Sequence, residues 1–246
     1  MLDALRYLRA AMGEFYYDLP RMALMNLLWF LLSLPFIFVV FAIFTLSRSA
    51  TLGGVGPFLL LYVPMGAVAL VLAGPATAGV YLATNKLAHG ELLEVRWFWI
   101  GFRRFLWRGW LLGLADAGAG GLLVINIWFY WSTGTVGLRL LAIVFAYLLV
   151  LWFVIQSYLF ALLVEMDQGV PLVVRNALFM SIDQLGLTLG LAVVNLLLVL
   201  LSIPLGALLL PLGTMAILSG VNNKAVVDAV DRYRAAGRVI PGGTAE

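Results

Sequence analysis

The sequence has no cysteine, only one histidine and few charged residues. Charged side chains make up 11% of the 246 residues, hydrophobic side chains make up 64%, and the mean hydropathy is +1.06. A soluble domain is about a quarter charged, and a fold of this size has too little interior to bury so many apolar side chains. The composition therefore predicts an integral membrane protein. The lack of cysteine excludes disulfides and thiolate metal sites.

Motifs of several enzyme classes are also missing. The sequence contains no phosphate-binding G-x-x-x-x-G-K-[ST] loop, no zinc-binding H-E-x-x-H pair and no G-x-S-x-G nucleophile turn. His89 is the only histidine, so no second histidine or cysteine completes a metal site around it. The net charge of +3 is small and scattered, which argues against nucleic-acid binding. We therefore expect a protein that is not an enzyme and carries no metal or cofactor.

Long uncharged runs predict an all-α, polytopic transmembrane bundle with six spans. Crossing an apolar layer of about 30 Å takes about 20 helical residues. The 40-residue uncharged run 184–223 would be about 60 Å long as one helix, so we expect it to turn near Ser202 to Pro204 and cross twice. Gly74 and Pro75 should interrupt the second span, because proline removes a backbone donor. The other four spans are predicted at 22–46, 57–86, 109–131 and 138–164.

The basic residues orient these spans. Basic residues concentrate on the cytoplasmic side of a membrane. With six spans, thirteen of the 15 basic residues lie on the inner side, and only Arg48 and Arg139 lie outside. Five spans would change that division to nine against six. We therefore expect a multi-pass protein of the plasma (inner) membrane with both termini in the cytoplasm.

Three segments are expected to lie along the inner membrane surface. Residues 1–18 precede the membrane domain 19–220 and place apolar side chains at helical spacing. The segments 96–110 and 175–183 are the other two. The tail 221–246 should continue the last helix into water, either as a solvated face or as a surface for a partner. The expected interface residues of the second segment are Arg96, Arg103, Arg104, Arg108, Trp107 and Trp110.

The second and third surface segments match at a shift of 79 residues. Gly90 and Gly169 precede the pairs Val95-Arg96 and Val174-Arg175 by the same interval, and the shift also aligns Asp116 with Asn195. Transporters contain parallel repeats of this kind. A duplication and a chance match remain open alternatives.

Asp116 is the only acidic residue deep inside a predicted span. Burying its charge costs roughly 2.5 to 3.5 kcal/mol on insertion scales. It predicts either a proton or substrate site shared with Asn126 or Asn195, or a hydrogen-bonded carboxyl that holds helices together. Small residues on the same helix predict a close helix contact, and they are Gly113, Ala117 and Gly121.

Several short motifs extend over nearly the whole chain. They include Asn26-Leu27-Leu28-Trp29, Gly74-Pro75-Ala76-Thr77-Ala78 and Asn222-Asn223-Lys224. In these motifs the chain resembles the YesL-like family of bacterial membrane proteins, whose function is unknown. It departs from the family by an insertion at about residues 45–73. The resemblance implies an accessory role near carbohydrate uptake transporters, and it assigns no catalytic residue.

Two functions follow as hypotheses. The first is a noncatalytic accessory or scaffold subunit that docks a partner, such as a transport system, or assembles as a homo-oligomer. The second is a small-solute transporter or channel that uses the polar site around Asp116. A third class, an intramembrane enzyme, would need a serine activated by lysine or a carboxylate.

Overall fold

The computed structural model describes residues 2–47, 55–133, 135–202 and 210–237. Within these ranges the regular structure is entirely helical. The part of the tail from residue 238 lies outside the described residues. The helices are α1 (Leu2–Tyr17), α2 (Leu19–Ser47), α3 (Val55–Ala88), α4 (Val95–Arg104), α5 (Leu106–Ser132), α6 (Val136–Met166), α7 (Val170–Asp183), α8 (Leu185–Ser202), a π-helical turn (Leu210–Thr214) and α9 (Met215–Ala235).

Among the described residues, five helices are long and apolar enough to cross a membrane. They cover Leu19–Ile43, Leu60–Ala88, Leu106–Ser132, Val136–Met166 and Leu185–Ser202. An all-helical, multi-pass membrane protein is therefore confirmed. The first four segments match the first four predicted spans, because each span is set by an uncharged run of sufficient length.

The last uncharged run folds back on itself. The Ser202 hydroxyl hydrogen-bonds the Thr214 hydroxyl at 2.7 Å. In one continuous helix these residues would be about 18 Å apart, so a single long helix is excluded. The expected turn at Ser202 to Pro204 reaches into 203–209, outside the described residues. The sixth crossing stays a prediction.

Helix α3 continues through Gly74 and Pro75, so the predicted interruption is wrong. Pro75 removes one hydrogen bond from the helix ladder, but α3 continues past it and packs against α2, α5 and α9. The two residues instead form a close contact with α5. A methyl group on Gly74 would lie 2.4 Å from the carbonyl oxygen of Gly109.

Helix α9 lies at the centre of the molecule and packs against α1, α2, α3, α6 and α8. The expectation of a water-exposed helix is correct only at the carboxyl end of α9, at Asp231, Arg232, Arg234 and Ala235. The rest of α9 is largely buried, including Val221, Ala225 and Val230. The helix therefore cannot offer a free surface along its length to a partner.

Helix α1 packs on α9 mainly through two alanines and a tyrosine. Ala4, Tyr7 and Ala11 are buried against α9, whereas Leu5 and Met12 are exposed. The Lys224 ammonium lies 2.6 Å from the Glu14 carboxylate, and Arg6 pairs with Asp228 at 3.2 Å. Leu8 and Phe15 of the apolar stripe pack against the core, so only Leu5 and Met12 are left to lie against lipid.

The order of the helices repeats. A long helix, a short helix and a long helix occur as α3–α4–α5 and again as α6–α7–α8. Helix α5 begins at residue 106 and α8 at 185, which is the shift of 79 found in the sequence. This spacing agrees with the duplication hypothesis, which stays a prediction.

Candidate functional site

The carboxylate of Asp116 binds two side chains of α6. Trp152 donates its indole N–H at 3.0 Å and Gln156 donates its amide N–H at 2.5 Å. These donors are four residues apart, so they lie on the same face of α6. Both bonds reach Oδ1. Among the residues that the structure describes, Oδ2 accepts no hydrogen bond and Asp116 forms no ion pair.

Asp116 lies in an open groove of about 530 Å³ between α2, α5 and α6. Ala117, Gly120 and Gly121 of α5 form its floor together with Asp116. Phe36 and Val40 of α2 line one side. The opposite side belongs to α6, with the lining residues Leu149, Trp152, Phe153 and Gln156. The groove is thus apolar apart from the carboxylate and its two donors.

The predicted grouping of Asp116 with Asn126 or Asn195 is wrong. Asn126 is partly exposed and donates to the carbonyl of Leu122 in its own helix, at 2.7 Å. Asn195 is buried and donates to Ser157 and Asn222. The three residues do not meet because each points to a different neighbour, and the rotation of a helix about its axis decides that direction.

The small residues of α5 also separate into two groups. Gly113 packs on α3, since a methyl group there would lie 3.5 Å from Leu70 Cδ2 and 3.7 Å from Gly74 Cα. Ala117 and Gly121 line the Asp116 groove instead. A methyl group on Gly121 would meet no atom within 4 Å. The predicted single contact face is therefore wrong.

A buried polar network joins four helices at the centre of the molecule. Asn222 of α9 donates to the Tyr81 hydroxyl of α3 at 3.0 Å and accepts from Asn195 of α8 at 3.0 Å. Asn195 also donates to the Ser157 hydroxyl of α6 at 2.9 Å. All four side chains are buried, so these bonds fix how the helices are rotated against one another.

Two further asparagines hold α9 in place. Asn223 donates to the Tyr81 carbonyl at 2.7 Å and to the Thr84 hydroxyl at 2.8 Å. Asn26 of α2 accepts from the backbone N–H of Ala216 at 2.9 Å and donates to the Leu210 carbonyl at 2.6 Å. It thereby satisfies backbone groups where the π-helical turn meets α9. The paired Asn222 and Asn223 were the sequence signal for this network.

The predicted inner-interface residues have two different roles. Arg104 and Arg108 both pair with Asp167, at the end of α6, and Arg108 also donates to the Asp167 carbonyl at 2.8 Å. They clamp the turn between α6 and α7, where Asp167 adopts a left-handed φ of 51°. Arg96 pairs with Glu94, which is its one ion pair within the described ranges, and lies over the Trp97 ring.

Of the two predicted interface tryptophans, one lies at the surface and the other binds a neighbouring helix. Trp107 is 68% exposed, as a residue at the membrane surface should be. Trp110 donates its indole N–H to the carbonyl of Ala67 in α3, at 2.9 Å. Arg103 is exposed and forms no recorded ion pair among the described residues.

Sequence reasoning missed Glu165, near the end of α6. Its side chain is only 5% exposed, and its carboxylate lies 2.9 Å from His89 Nε2 and 2.8 Å from the Asn85 amide nitrogen. His89 therefore has a structural partner. Across the described ranges, no group of three or more His, Cys, Asp or Glu side chains could hold a metal ion.

No protein-family model, no curated protein and no solved structure matches this chain. Three features of the molecule bear on its function: the apolar helices, the central polar network and the groove that contains Asp116.

Proposed function

We propose that the protein is a noncatalytic accessory or scaffold subunit of the plasma membrane, with both termini in the cytoplasm. The polar side chains of the central network bond to one another across helices, which suits a structural role. The observation that carries the proposal is the Asp116 groove. Its carboxylate and small-residue floor lie on an open face of the bundle, where another protein can reach them.

The resemblance to the YesL-like family suggests the kind of partner that the subunit would accompany. Its motifs Gly74-Pro75-Ala76-Thr77-Ala78 and Asn222-Asn223-Lys224 fall at the α3–α5 contact and in the central network. A YesL-like protein would act beside a carbohydrate uptake transporter. On the basis of this resemblance, we propose a carbohydrate uptake transporter as the partner of the accessory subunit.

Purification from native membranes tests the accessory function. The tagged chain is extracted in lipid nanodiscs from cells that express it at its natural level, and the composition of each particle is measured by mass spectrometry. We expect a transport system in a fixed ratio to the chain. An unrelated multi-pass protein with the same tag is the control. Particles that hold only copies of this chain would contradict a heteromeric role.

The second candidate function is transport of a small solute through the Asp116 groove. It is favoured by the volume of the groove and by the Oδ2 atom of its carboxylate, which accepts no hydrogen bond from the described part of the chain. Solute flux into proteoliposomes would then depend on Asp116. If flux through Asp116→Asn equals that of the unchanged protein, this site does not carry the solute.

A further inference from the structure

We propose that the Asp116 groove binds a transmembrane helix of a partner subunit, and that this helix carries one lysine or arginine at the depth of Asp116. The inference rests on the proposed accessory function and names the chemistry of the partner.

Among the described residues, no basic side chain pairs with the Asp116 carboxyl group. Ionisable side chains inside a membrane usually pair with one another or with other polar groups. The two donors of Asp116, from Trp152 and Gln156, are neutral, and both bind Oδ1. Within the described residues, nothing occupies Oδ2. A lysine or arginine from outside the chain would complete this site with a charge-assisted hydrogen bond.

The shape of the groove fits a helix. Ala117, Gly120 and Gly121 are spaced three and four residues apart, so they form one smooth strip on α5. Small residues of this kind let two helix backbones approach closely in lipid. A methyl group on Gly121 would contact nothing within 4 Å, so the described residues leave this position uncovered, whereas one on Gly120 would lie 3.8 Å from Trp152 Nε1. Aromatic rings of α2 and α6 flank it.

A second copy of the chain cannot supply the missing charge. In the five membrane-crossing helices, lysine and arginine occur only within four residues of a helix end. Asp116 lies ten residues into α5, about 15 Å along its axis, which is near the middle of the hydrocarbon layer. The nearest basic residue of the same helix, Arg108, already pairs with Asp167. The partner is therefore a different protein.

A synthetic helix provides a defined probe. The full chain is reconstituted in phosphatidylcholine vesicles with a polyleucine peptide of about 21 residues that has one central lysine. A donor dye is attached to a cysteine introduced at Thr133, and an acceptor dye is attached to the peptide. Energy transfer between the two dyes reports binding. We expect the lysine peptide to bind about tenfold more tightly than the all-leucine peptide. Asp116→Asn should abolish that preference.

Two glycine variants separate docking from folding. Gly121→Leu fills the groove floor, whereas Gly118→Leu changes a position on the same helix outside the groove lining. A methyl group at either position meets nothing within 4 Å, so both variants should fold. We expect Gly121→Leu to lose the lysine peptide and Gly118→Leu to keep it. This pair decides the question even if Asp116→Asn is unstable.

Three other outcomes overturn the inference, and a fourth overturns the accessory function on which it rests. Equal binding of the lysine and leucine peptides removes the role of charge. Energy transfer between two copies of the chain that requires Asp116 assigns the groove to a homodimer. If a native transport system still purifies in a fixed ratio with Gly121→Leu, the groove proposal fails while the accessory function stands. If the lysine peptide binds but no native partner purifies, the accessory function fails instead.

Discussion

At the scale of single residues, the contact between Gly74 and Gly109 brings two backbones together. A methyl group on Gly74 would lie 2.4 Å from the Gly109 carbonyl oxygen and 2.8 Å from its carbon. Neither atom can turn away, because both belong to the backbone of α5. The absence of a side chain at Gly74 is therefore a condition for the packing of α3 on α5.

Gly74→Ala should lower the free energy of unfolding by about 1 to 3 kcal/mol, because the added methyl group forces the two helices apart. Gly66→Ala in the same helix is the matched control. Its methyl group would meet only Val39 Cγ1, at 3.7 Å, so the change should be neutral or should stabilise the helix by about 0.5 to 1 kcal/mol. SDS-induced unfolding in mixed micelles measures both. Equal effects of the two variants would show that the close contact has no energetic weight.

Asn222→Ala should lower the free energy of unfolding by about 1 to 3 kcal/mol. The variant removes the donor to the Tyr81 hydroxyl and one of the two acceptors of Asn195, which keeps Ser157. Asn126→Ala is the comparison, since Asn126 bonds only within its own helix. Its effect should stay within about 0.5 kcal/mol. The same unfolding measurement applies, and an Asn126 effect as large as that of Asn222 would contradict a special role for the network.

At the scale of helices, α1 is attached to α9 by a buried hydroxyl and by ion pairs. Tyr7 donates its hydroxyl to Asp228, and Glu14 pairs with Lys224. Burial, together with the hydrogen bond to Asp228, raises the pKa of the Tyr7 hydroxyl above its ordinary value of 10. Docking of α1 therefore favours the protonated hydroxyl.

This pKa shift predicts a loss of stability in alkali. Because the pKa is higher in the folded protein, the contribution of Tyr7 is fully present below about pH 10 and is lost as the pH rises further. The difference in unfolding free energy between the unchanged protein and Tyr7→Phe should shrink from pH 9 to pH 11.5. Tyr16→Phe is the control, since Tyr16 is exposed on the same helix. A Tyr7→Phe difference that is constant over this range would rule out the linkage.

At the scale of the whole molecule, the open question is which side of the membrane each end of the bundle faces. The ends of α1 and α9 lie together, joined by the Arg6 and Asp228 pair. Residues at the turn between α5 and α6 belong to the opposite side in the predicted topology. The lack of native cysteine allows each position to be labelled singly.

Thr133→Cys should react with a membrane-impermeant maleimide in intact cells, and Asp231→Cys should not. Both positions are exposed on the protein surface, so accessibility differs only through the membrane. After permeabilisation, both should react. Reaction of Asp231→Cys in intact cells would place α9 and the carboxyl terminus outside and refute the proposed orientation.

The sequence by itself determined that the chain is helical and crosses the membrane several times. Hydropathy and the length of an uncharged run are properties of consecutive residues, so no distant contact is needed to read them. The first four predicted spans agree with the helices for this reason. Asp116 is also recognisable from the sequence alone, because it is an acidic residue within an apolar run.

Only the tertiary structure decided which polar side chains meet. Asp116 binds Trp152 and Gln156, Asn195 binds Asn222, and Gly74 faces Gly109. Each pairing depends on the rotation and crossing of helices that are far apart in the chain. Helical periodicity gives the face of a side chain but not the neighbour on that face. That is why the sequence located the carboxylate, and the packing of α2, α5 and α6 produced the groove around it.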